Sequence, residues 1–159
     1  MTHFVSRHHP GRTPAAALLV RAQGAPVGLA FAAVMIVTTA AALQGLPVLR
    51  AVLLFVPLVY VGAVAWSLYD LNRTPAEVLI GEGMGAVRSV WDVASAPHGP
   101  AQYVPIFHPR KGDGALLVGF GDAVVAFRPD DWAEFDDLRD ALTASADAAD
   151  AARFALLAS

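Results

Sequence analysis

The sequence predicts a membrane protein: a two-helix transmembrane hairpin that carries a small α+β domain. Three observations predict it. Ala22–Leu49 contains no charge, and after the single Arg50 a second charge-free run covers Ala51–Tyr69. Beyond Thr74 the pattern changes to short β-like runs separated by Gly and Pro turns. The last run leads into Trp132, Phe135, Leu138 and Leu142, one apolar stripe at helical spacing. With 56% hydrophobic residues, 16% charged residues and a mean hydropathy of +0.51, the chain lacks the charge to wrap two such runs in a soluble core.

The hairpin comes first. A bilayer core of about 30 Å needs about 20 apolar residues of helix, and residues 24–43 and 48–69 each meet that length. Only Gln44-Gly45-Leu46-Pro47 separates them, a turn whose Gly and Pro do not continue a helix. In hydrocarbon every backbone group must be paired internally, so both segments are read as helices. A cleaved leader does not fit, because the run starts late and a second span follows. Gly24, Gly28 and Ala32 form a small-residue ridge. The ridge is expected to pack against the second helix, or else against a second copy or a larger membrane protein. Pro57 is expected to kink the second helix. Neither span contains His, Asp, Glu or Lys. Haem ligation, proton relays and ion pathways draw on such groups, so no cofactor, transport or channel role is expected.

Orientation follows from charge. Arg7, Arg12 and Arg21 precede the first span with no acid among them, which places the N-terminus inside and, after two spans, the C-terminal part beside it. This describes a multi-pass protein of the bacterial cytoplasmic (inner) membrane with both termini cytoplasmic, and the absence of Cys agrees. Arg50 can snorkel to the nearer surface. Arg21, Trp66 and Tyr69 read as interface anchors. Residues 1–23 are read as an arm and a short interfacial helix. Met1–Arg12 is polar and flexible; Thr13 caps a helix over residues 13–21 with Pro14 at its first position. His3, His8 and His9 have no acid or Cys beside them, so they are expected to touch anionic headgroups rather than a metal.

Residues 70–145 form the predicted cytoplasmic domain, and residues 146–159 an Ala-rich tail that extends the last helix, forms another, or docks. The expected strands are 77–80, 86–93, a weaker 102–107 interrupted by Pro105, and a hairpin of 115–119 with 123–127. Gly81, Gly83 and Gly85 are tight turns, because no helix-opening sixth position or phosphate-loop Lys accompanies them. Asp131 and Glu134 are expected to form a capping box for the final helix, with Asp136, Asp137 and Asp140 on its solvated face.

The order of short strands, final hairpin and acid-led amphipathic helix resembles bacterial membrane proteins with a pleckstrin-homology-like (PH-like) domain. The specific part is Val124-Val125-Ala126-Phe127-Arg128-Pro129-Asp130-Asp131-Trp132 through Leu138. In that family a membrane hairpin often precedes the domain, as here. The chain departs from the pattern in its short soluble region and in the prolines between Pro97 and Pro109. The resemblance carries over no catalytic residues.

Composition limits the role further. A net charge of −3 and a pI near 5.9 exclude a nucleic-acid footprint. A domain of this size leaves little room for a deep pocket. His98 and His108 lie in no Ser-His-Asp or metal spacing, and Asp92 with His98 lacks a third member, so no enzyme is expected. The expected role is a non-catalytic, membrane-anchored interaction protein, an accessory or assembly subunit of a larger respiratory or photosynthetic type of complex. The expected partners are the bilayer and that complex or a second copy. Tyr103, Phe107, His108, Arg110 and Lys111 are the candidate contact residues. The alternatives are a lipid-sensing PH-like module using Arg110 and Lys111, and a small enzyme of unknown reaction.

Overall fold

The computed structural model describes residues 1–157, with side-chain surroundings for residues 1–155. The chain forms two compact units. One is Thr13–Asn72; the other joins Met1–Arg12 to the chain from Arg73 onward.

The first unit is helical. It contains α1 (Ala15–Ala22), α2 (Gly24–Leu43) and α3 (Val48–Arg73). Thr13 does not cap α1. Pro14 holds the cap position in extended backbone and no side chain closes the end. Gln23, between α1 and α2, has right-handed helical backbone (φ −71°, ψ −13°), so Ala15–Leu43 reads as one apolar stretch of 29 residues. It and the 26 residues of α3 are long and apolar enough to cross a membrane. Gly45 ends α2 at φ +65°, where Leu46 N–H donates to the Ala41 carbonyl and Gly45 N–H to that of Ala42, so two of the carbonyls in the last turn are satisfied within the chain. Pro57 lies inside α3, which continues through it as one helix. The Tyr60 hydroxyl donates to Gln23 Oε1 at 2.8 Å. The small-residue ridge is not the packing surface within this unit. Gly24, Gly28 and Ala32 are exposed, and a Cβ at either Gly would meet no atom within 4 Å.

The second unit is α+β. A four-stranded antiparallel sheet has the order β1 (Thr2–Val5), β2 (Pro75–Ile80), β3 (Met84–Ser89), β4 (Val104–Pro105). A three-stranded one contains β5 (Arg110–Gly112), β6 (Ala115–Phe120) and β7 (Ala123–Phe127). Single bridges join them, Ile106 with Phe120 and Ser6 with Trp132. On β2 and β6 alternate residues are buried, which places Val78, Ile80, Leu116, Val118 and Phe120 in one core with Phe4, Ile106 and Phe127.

Three expectations are corrected here. Met1–Arg12 is not a free arm: Thr2–Val5 pairs with residues 77–80, and Phe4 is buried opposite Val78. His8 bonds Asp131 and His9 bonds Glu77, each at 2.8 Å. Acids far along the chain thus supply the partners that the local sequence lacks. The run 86–93 is not one strand. Ser89 accepts from Asp92 N–H while Asp92 accepts from Ser89 N–H, a capping box that turns the chain into α4 (Val90–Ser95). Asp131 and Glu134 form no such box. Pro129–Asp131 is a 3-10 turn, Trp132 is extended, and α5 runs from Phe135 to Leu157. Trp132 nonetheless reaches the core with Leu138 and Leu142. The Ala-rich tail extends this same helix, burying Ala146 and Ala149. Asp136 and Asp140 stay exposed, and together they hold the Arg139 guanidinium above its usual pKa, the hydrogen bond it donates to Asp140 acting most strongly.

Candidate functional site

An open cleft of about 540 Å³ lies over the outer face of β6 and β7. Its apolar floor is Leu117, Val124 and the ring of Phe107. Gly119 makes the floor possible: a Cβ there would lie 3.0 Å from Phe107 Cδ2, so the missing side chain lets the ring lie across β6. Phe107 N–H donates to the Gly119 carbonyl at 2.9 Å and fixes the position. The Arg153 guanidinium of α5 covers the ring at 4.7 Å from its centroid, a cation–π contact.

The polar rim comes from β5 and α5. Arg110 lines the cleft. His108 Nε2 lies 3.0 Å from Asp150 and 3.7 Å from Asp147. The cleft therefore presents an apolar floor, one cation without an ion pair among the described residues, and a His–Asp rim. Such a surface suits a flat apolar partner with a polar edge.

Three of the five candidate contact residues, Phe107, His108 and Arg110, meet at this cleft. Lys111 is exposed on β5. Tyr103 is partly exposed and its hydroxyl sits 3.6 Å from Met1 Sδ. Of the interface anchors, Trp66 and Tyr69 stack in a tilted pair with centroids 5.9 Å apart, and Arg21 is exposed. Among the described residues no three His, Asp or Glu side chains are grouped to hold a metal ion.

A second polar cluster was not legible in the sequence. Arg88 is buried on β3 and donates to Glu77 at 3.2 Å, to the Pro97 carbonyl at 3.2 Å and to the carbonyls of Asp92 and Ala96. It thus ties β2 to the C-terminal end of α4, where carbonyls lack helical partners and favour a cation. Asp92, weighed as an acid–base partner of His98, is the other half of the α4 cap. The Ser89-x-x-Asp92 spacing was the available signal for that cap; no spacing pointed to Arg88.

No family model matches the chain, no curated protein matches it, and no solved structure matches its fold.

Proposed function

We propose that the chain is a non-catalytic, membrane-anchored interaction protein. An apolar hairpin fixes a small PH-like module at the surface of the bacterial cytoplasmic membrane, both termini cytoplasmic, where the module serves a larger membrane complex as an accessory or assembly subunit. One observation carries the reading: β1 precedes the two apolar helices, β2 follows them, and the two strands are paired in one sheet. A sheet built from both flanks of the hairpin requires the chain to return to the face it left, as two spans do. The strand–hairpin–helix order of the α+β unit supports the PH-like part. The cleft holding Phe107, His108 and Arg110 supplies the contact surface.

The test is mild detergent extraction from native membranes, native sizing, and mass spectrometry of what travels with the chain. A defined assembly with a stoichiometric second protein is expected. Recovery of the chain with no other protein would overturn the subunit role and favour a lipid-sensing module. That module would bind anionic vesicles and lose binding when Arg110 and Lys111 are replaced by Glu.

A further inference from the structure

We infer that β7 is a dimerisation strand that pairs antiparallel with β7 of a second copy of this chain. The hydrogen-bond pattern of the edge comes first. β7 pairs with β6, and no other strand pairs with it among the described residues. The two-residue turn Gly121-Asp122 closes Phe120 against Ala123, with φ +56° at Gly121 and no positive φ at any non-Gly residue, as a type II′ hairpin requires. Phe120–Ala123, Val118–Val125 and Leu116–Phe127 are then the hydrogen-bonded pairs. The N–H and C=O groups of Val124 and Ala126 consequently point away from β6, toward the open edge.

Natural edges are usually guarded by a charge, a Pro or a bulge. This one is Ala-Val-Val-Ala-Phe, unbroken and uncharged, with Val124 72% exposed. The charges stand at its two ends, Asp122 before and Arg128 after, both exposed and in no ion pair among the described residues. Arg128 is still extended (φ −94°, ψ 137°), so the strand geometry reaches it.

These facts select a register. Place Val125 opposite Val125 of the second copy. Val124 then faces Ala126 in each direction, and those are the residues whose backbone groups are free to bond across the edge. Asp122 faces Arg128 at both ends. The strand is self-complementary in hydrogen bonds and in charge under one two-fold axis, as an isologous interface demands. The outer face of the joined sheet sets Val124 of each copy beside Ala126 of the other and continues the apolar floor formed by Leu117 and Phe107.

The experiment uses the full chain in mild detergent. Because the sequence has no Cys, Val125→Cys can cross-link only to a second copy, and opposed residues of a non-hydrogen-bonded pair lie within disulfide reach. Oxidation is expected to give a covalent dimer from V125C and none from A123C, whose counterpart lies far along the facing strand. D122R and R128D, each placing like charges opposite one another twice, are expected to weaken dimerisation about tenfold or more. The double variant D122R/R128D restores it. A V125C chain that stays monomeric overturns the inference and leaves the edge to a strand of another protein. A dimer insensitive to both single reversals overturns it in favour of another surface. Neither outcome depends on whether a partner complex is recovered from native membranes.

Discussion

Gly83 shows how much a single residue position can demand. Its φ is +74°, and a Cβ there would lie 3.0 Å from the Ala149 Cα on α5. Gly114 has φ +67° with open space around it. Both Gly→Ala changes meet the left-handed backbone penalty of about 1 kcal/mol. Only G83A must also displace α5. It is expected to cost about 1–3 kcal/mol more than G114A by thermal melting in detergent; equal losses would mean that α5 is not held against the β2–β3 turn. Arg88 is the other demanding position. With its side chain 11% exposed and that of Glu77 13%, R88A takes the guanidinium from a buried carboxylate that keeps only its histidine contacts, and leaves the Ala96 and Pro97 carbonyls beyond α4 without that donor. A loss of about 3 kcal/mol is expected, well above the about 1 kcal/mol expected for S89A at the cap of α4. That Gly81 and Gly83 mark the turn between β2 and β3 was legible in the sequence; Gly85, read with them as a turn, is instead a β3 residue paired with Ile80 and Val104, where a Cβ would run into the Ile106 side chain. That Gly83 touches α5 was not legible, because 66 positions separate it from Ala149.

At the scale of elements, periodicity was most reliable where one face of a segment meets the core. The β6–β7 hairpin and the first turns of α5 were legible because β6 alternates along its length and Leu138 and Leu142 repeat at helical spacing. The division of residues 86–93 between β3 and α4 was missed because Val and Trp favour strands, while the Ser89–Asp92 cap that bends the chain is a local hydrogen-bond device. Trp132 shows the reverse. It was placed on the helix by spacing, yet it lies before α5 as an extended residue bridged to Ser6. β1 was not legible at all: its partner strand is some seventy residues away, and a four-residue edge strand carries little pattern of its own. A test follows from Phe4, which is 6% exposed within the core. F4A is expected to destabilise the α+β unit by about 3 kcal/mol or more, followed by denaturation in detergent. If the first twelve residues were an arm, the change would be silent.

For the whole molecule, the decisive relation is between the two flanks of the hairpin. The candidate cleft was partly legible because Phe107, His108 and Arg110 are neighbours in sequence. Its α5 wall, with Asp150 and Arg153, depends on tertiary docking of a tail that has almost no apolar signal. Topology can be tested with single cysteines in a chain that has none. R12C and K111C are expected to react with an impermeant thiol reagent from the same side of sealed vesicles, and Q44C, at the α2–α3 turn, from the other. Labelling of R12C and K111C from opposite sides would contradict the paired β1 and β2.

The pairing of β1 with β2 also has a consequence for the order of events during synthesis. The first strand leaves the ribosome before either apolar helix and has no partner until Ile80 has followed. The module therefore closes only after both helices have been made. Until then β2 has a bare edge where β1 will lie, and Phe4 is missing from the core. Closure of the sheet is therefore a late event, set by the last strand to be made rather than by the first.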